Sequence, residues 1–186
     1  MRHCCPHSIK LDSKSLWVYN RIFNSKQQEL KMSTRSLIAV VHGNNYKTVY
    51  CHWDGYLSHN GRILQKHYDS PKANNLVAMG NISSLKANIG RKHPFSAFDI
   101  PGMSPSAWQN KYGNMTTFYG RDREEEGQEF VTHTSKESLI ESFNESWCEF
   151  AYIMQDGVWY VMFQGDSNFY LLSKELAKEK DTVEVV

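Results

Sequence analysis

The sequence predicts an α+β domain whose largely antiparallel sheet is built from β-hairpins with short flanking helices. Two observations carry that reading. Runs rich in β-branched and aromatic residues come in pairs around turn sequences, 37–41 with 47–53 and 147–154 with 158–163. Segments of helical period are segregated between and after these pairs instead of alternating with single strands, which is the pattern of an α+β chain.

In chain order, 37–41 is a continuous apolar run, Gly43-Asn44-Asn45 supplies the turn, and 47–53 returns as the second strand. Past Asp54-Gly55, Asn60 is placed to cap a helix that carries Ile63, Leu64, His67 and Tyr68 on one stripe. A second helix starts at Ser70-Pro71, holds Leu76, Val77 and Met79, and stops at Gly80. Residues 81–113 show no sustained period and contain three prolines, so they read as a long excursion anchored by Phe95, Phe98, Ile100 and Trp108. A strand over 115–119 then leads into a charged turn over 120–127, with a further strand over 128–132. Ser135 caps a helix bearing Leu139, Ile140 and Phe143. The pair joined across Gln155-Asp156-Gly157 is the strongest hairpin signal. Glu149 interrupts its alternation, facing either solvent or a site. A short strand over 169–172 precedes a terminal helix. The domain is expected to span 32–173, followed by a helix and tail over 174–186.

Composition excludes several classes. A chain of 186 residues buries enough surface to fold as one domain without a disulfide framework. Twenty-one Lys and Arg against twenty Asp and Glu leave a net charge of +1, too little for general nucleic-acid binding. No apolar stretch approaches the roughly 20 residues that cross a bilayer. Cys4, Cys5, Cys51 and Cys148 show no repeated metal spacing and read as free thiols of a cytosolic protein. Residues 1–31 form a basic extension, and Met32 followed by Ser33 has the form of a natural start. The His3-Cys4-Cys5-Pro6-His7 cluster is too tight to surround one metal ion, so no metal and no cofactor is expected. Phosphate-cradling glycine loops and Gly-x-Ser-x-Gly elbows are missing as well.

The residues that carry chemistry concentrate in Tyr50-Cys51-His52-Trp53-Asp54-Gly55-Tyr56. In extended geometry His52 and Asp54 share one face, a pair suited to acid–base work or to orienting a ligand. The alternative is that Asp54 caps the turn and His52 is half-buried. Cys51 points to the opposite face, which disfavours a Cys51–His52 nucleophile pair. His59, His67 and Asp69 lack metal spacing, and His67 reads as a core histidine. Ser33 becomes an amino-terminal nucleophile only if Met32 starts the chain and is removed. In Arg121-Asp122-Arg123-Glu124, two guanidinium groups can fork onto phosphate, unless the segment is simply a solvated turn. If Arg35, His52, Arg121 and Arg123 converge near Trp53 and Tyr56, the result is a pocket of cations and stacking faces for a phosphorylated small molecule.

Ser33-Thr34-Arg35-Ser36, Tyr50 to Tyr56, Gly61 to Tyr68, Tyr119-Gly-Arg-Asp-Arg-Glu124 and the closing hairpin around Asp156-Gly157 together resemble a family of small bacteriophage proteins without an assigned biochemical role. The resemblance spans roughly residues 32–172 and departs from the family pattern at Glu124, where a glycine is expected. It implies a phage gene product acting in the host cytoplasm, an origin that often goes with inhibitors or sequestering proteins. The leading expectation is a non-enzymatic binder of a host protein or a phosphorylated small ligand. Its rival is a small hydrolase or transferase acting on a nucleotide-like substrate with His52 and Asp54 as acid–base pair.

Overall fold

The computed structural model describes residues 34–183, with side chains to 179. The expected extension over 1–31, its cysteine cluster and Ser33 lie outside the described residues.

The run 37–41 lacks polar alternation because its strand is buried on both faces. Strand β1 (Ser36–His42) sends Ile38 and Val40 to one side of the sheet and Leu37 and Ala39 to the other. It pairs antiparallel with β2 (Asn45–Cys51) across a turn in which Gly43 has φ +60. The second hairpin joins β6 (Phe150–Gln155) to β7 (Val158–Phe163), and Asp156 and Gly157 both take positive φ, as a tight hairpin turn demands. The two hairpins meet side by side: β1 and β6 run parallel, with Ser36 opposite Phe150. Short strands complete the sheet. These are β3 (Ile82–Ser84), β4 (Thr117–Phe118), β5 (Val131–His133) and β8 (Tyr170–Leu171). The order is β4-β3-β2-β1-β6-β7-β8, with β5 beside the first half of β2. Five of the seven strand pairings are antiparallel, so the expected class holds.

Helices cover both faces. On the first side, Leu64 of α1 (Arg62–His67), Ala73, Leu76 and Val77 of α2 (Ser70–Ala78), and Leu172 and Leu176 of α6 (Leu172–Val183) pack on Ile38, Val49, Tyr152 and Val161. The terminal helix thus starts at Leu172, just before the expected 174, and buries Leu172 and Leu176 in this core. On the second side, α5 (Lys136–Glu145) lays Leu139 and Phe143 on Leu37, Ala39, Ile153 and Met162. Ser135 caps it, its hydroxyl accepting the Ser138 N–H at 3.2 Å.

Several local expectations change. The segment 120–127 opens as a short helix, α4 (Tyr119–Arg123), and not as a solvated turn. The excursion contains β3, a 3₁₀ turn (Ala97–Asp99) and helix α3 (Pro105–Tyr112), capped by Ser104. Phe98 is no anchor, being 92% exposed. His67 is exposed rather than in the core. Asn60 caps nothing: it sits fully buried in a π turn (Leu57–Gly61), an irregularity that often accompanies functional sites. Its Nδ2 donates to Ser36 Oγ at 3.3 Å and to the Trp53 carbonyl at 3.2 Å. Asp69, one residue before Ser70, caps α2 through the Lys72 N–H.

Candidate functional site

Four chain segments end or begin together at the edge of the sheet where β1 starts. β2 and β1 are antiparallel, with Cys51 opposite Ser36, so β2 delivers His52 and Trp53 there. β6 runs parallel to β1 and enters from the same edge through Trp147, Cys148 and Glu149. The backbone is stitched across this edge: Trp53 N–H to Ser83 O at 3.0 Å, Gly55 N–H to Thr34 O at 2.8 Å, and Glu149 N–H to Arg35 O at 3.0 Å. Gly55 is required, because a Cβ there would come within 2.6 Å of the Arg35 carbonyl carbon.

At the centre of this edge stand Arg35, Tyr50 and His52. Tyr50 Oη and His52 Nδ1 are 3.0 Å apart, and the His52 ring packs edge-on against Trp53 with centroids 4.5 Å apart. Partial burial, with the Arg35 charge adding to it, lowers the His52 pKa, which favours neutral imidazole. In the tautomer of neutral His52 that carries its hydrogen on Nε2, Nδ1 accepts a hydrogen bond from the Tyr50 hydroxyl. Burial raises the Tyr50 phenol, while nearby Arg35 pulls it down. No ion pair among the described residues engages Arg35. The site thus offers hydrogen-bond donors, a guanidinium and an imidazole N–H, beside the 41% exposed Trp53 ring.

Among the described residues no hydrogen bond or ion pair joins His52 to Asp54, which were expected to share one face. The strand ends at Cys51, and Asp54 has φ +57, which breaks the alternation that put the two side chains on one face. Asp54 lies instead 3.8 Å from His59 Nε2, and it and Glu179 raise the Tyr56 phenol beyond the effect of burial. Asp54 and Tyr56 consequently belong to a neighbouring cluster of acidic character, not to the donor set. Cys51 is also removed as a nucleophile: it is wholly buried, and burial pushes its thiol up to about 12.

Arg121 is not a ligand fork. Its Nη1 donates to Ile89 O at 3.0 Å, its Nη2 to Thr116 O at 2.7 Å, and its Nε to Asp122 Oδ1 at 2.8 Å, while its plane covers Phe118. Asp122, with a fully buried side chain, also accepts the His93 and Phe118 backbone N–H groups. His93 stacks on Tyr112 at 5.5 Å, and Trp108 Nε1–H donates to Pro94 O. Arg121 and Asp122 are hence a buried clasp holding the excursion onto β4. Arg123 stands closer to the site but on its flank. It pairs with Glu125 at 2.8 Å and lies over Phe95 and Tyr119, and Tyr119 in turn adjoins Ser83 and Tyr50. Of the residues expected to converge, Arg35 acts on His52, whose ring packs on Trp53; Arg121 is engaged with Ile89 and Thr116, and Arg123 reaches Tyr50 only through Tyr119.

Sequence reasoning did not single out Trp147, assigned above as the first residue of a strand. It precedes β6, has φ +58 and is 82% exposed. Two depressions formed by described residues lie elsewhere, one of about 390 Å³ between His67 and Trp159 and one of about 270 Å³ between Met79 and Gln128. Neither is lined by Arg35, His52 or Trp53, so the sheet-edge site stands on its chemistry and not on enclosed volume. Compared with protein-family models, curated proteins and solved structures, the chain matches none.

Proposed function

We propose that this protein is a phage accessory protein that binds a phosphorylated small ligand, without turning it over, at the sheet edge formed by Arg35, Tyr50, His52 and Trp53. The observation that carries the reading is the sign of the site. The Arg35 guanidinium and the His52 imidazole lead it; of the carboxylates beside them, Asp54 lies 3.8 Å from His59 Nε2, and Glu149, whose charge acts with that of Arg35 at Cys148, is exposed. An anionic oxygen cluster suits such a set, since charge-assisted bonds to guanidinium are the strong ones. An enzyme reading would need His52 and Asp54 to reach one substrate, and Asp54 lies 3.8 Å from His59 Nε2.

Calorimetric titration with ribose 5-phosphate provides the test. Binding is expected, and Arg35→Gln should weaken it by roughly tenfold or more, the worth of one charge-assisted hydrogen bond. Affinity should rise from pH 8 to pH 6, because a bound anion favours the imidazolium that Arg35 and burial oppose in the free protein. Binding unaffected by Arg35→Gln, or no binding at all, rejects the site. A second reading, a surface for a host protein, is favoured by Phe98, which stands 92% exposed on the excursion; retention of host protein by the wild type but not by Phe98→Ser would support it.

A further inference from the structure

We propose that His59 is a proton-operated latch on the loop that carries His52 and Trp53, closing onto Asp54 when its ring is protonated. The latch does not depend on the anion-binding reading, and its test uses no ligand.

The fixed part of the latch is Asn60. It is fully buried in the π turn, and its Nδ2 donates to the Trp53 carbonyl at 3.2 Å and to Ser36 Oγ at 3.3 Å. A carbonyl only accepts, so this end of the amide is the nitrogen and the opposite end is the oxygen. That oxygen, Oδ1, lies 3.0 Å from His59 Nδ1. An amide oxygen cannot donate, so Nδ1 carries the hydrogen of this bond whatever the charge of the ring. The backbone adds a second tie between the same segments, Asn60 N–H to Asp54 O at 3.3 Å.

The moving part is the far side of the imidazole. With Nδ1 engaged by Asn60, neutral His59 has a bare lone pair on Nε2, and that atom faces Asp54 Oδ2 at 3.8 Å, beyond hydrogen-bond reach. Lone pair and carboxylate repel each other. A proton on Nε2 reverses the sign: the imidazolium keeps its Nδ1 bond to Asn60 and closes on Asp54 through a charge-assisted bond from Nε2. The other groups around His59 are few. The Tyr56 ring lies tilted with its centroid 5.8 Å away, and its phenol is pushed up by burial, Asp54 and Glu179 and so stays neutral. Glu179 of α6 stands 3.7 Å from Arg62 of α1, which answers its charge. The His59 and Asp54 side chains are 26% and 28% exposed, open enough to exchange protons with solvent. Histidine is the side chain that ordinarily changes charge between pH 5 and 8, so mild acid closes the latch and ties the segment bearing His52 and Trp53 to the π turn.

The first measurement reads the tautomer and needs no variant. Proton–nitrogen correlation NMR of the whole chain at about pH 8 should find the His59 hydrogen on Nδ1, the opposite of the tautomer that neutral histidine side chains favour in water. A hydrogen on Nε2 overturns the proposal. The second measurement is amide hydrogen exchange at Asn60 in the wild type and in Asp54→Asn, which removes the charge and keeps a residue that accepts the positive φ of this position. Protection of the two chains should agree at about pH 8, and at about pH 5 the wild type should be protected about two- to fivefold more, the span of a partly exposed ion pair. Taking the ratio of the two chains cancels the intrinsic pH dependence of exchange and any general loss of stability in acid. A ratio that stays constant across this range overturns the latch, whether or not a phosphate ligand binds beside Arg35.

Discussion

Glu124 shows how one residue records its backbone. The position closes α4 with φ +59 and ψ +30, the left-handed cap that glycine adopts without strain. Glu124 makes a surface pair with Lys92, but both side chains are mostly exposed, and such pairs contribute little. Relief of the left-handed conformation should win. Glu124→Gly is predicted to stabilise the fold by about 1 kcal/mol, read from the midpoint of chemical denaturation; a lower midpoint would mean that the Lys92 pair outweighs backbone strain. The site residues were legible to differing degrees for similar reasons. His52, Trp53 and Arg35 were found because type alone suggested them. Strand alternation, which would set His52 and Asp54 on one face, stops at Cys51, and Asp54 has positive φ.

At the scale of elements, the hairpins and the helix capped by Ser135 were readable because turn residues, strand formers and a capping hydroxyl are local signals. The excursion was not. What orders it is a contact between distant segments, Arg121 and Asp122 gripping the backbone at 89, 93 and 116, which no window of sequence contains. Arg121→Lys retains the charge but loses the planar fork, leaving buried carbonyls and the Asp122 carboxylate short of donors. A loss of about 2–4 kcal/mol is expected. Limited proteolysis should then cut within 86–116 before it cuts the sheet. If the variant keeps wild-type protease resistance, the clasp is not what holds the excursion. Ribose 5-phosphate affinity is expected to survive the substitution at moderate temperature, since Arg121 contributes no donor to the sheet edge.

For the whole molecule, pH gives the clearest handle. The pKa values of His52 and His133 are both lowered by burial, in the case of His52 with help from Arg35. A depressed histidine binds its proton more weakly when folded than when unfolded, so the unfolded chain holds more protons at mildly acidic pH and stability increases with pH there. Stability should therefore be full above the ordinary histidine range and decline as pH falls below about 6.5. Equilibrium unfolding between pH 5 and 8, repeated on His133→Gln, should show a shallower acid loss in the variant; an identical slope would assign the effect to other groups.

The central seam of the sheet has a consequence for biosynthesis. β1 is flanked on one side by its own hairpin partner, but its other edge is satisfied only by β6, more than a hundred positions later. At ribosomal speeds of 5–20 residues per second, that edge waits on the order of 5–25 s for its mate. Throughout that interval an apolar ribbon with open hydrogen-bonding groups hangs from the nascent chain, a template for cross-pairing between polysomes. The yield of native protein in a cell should accordingly be governed by translation rate and chaperone supply rather than by the stability of the finished fold.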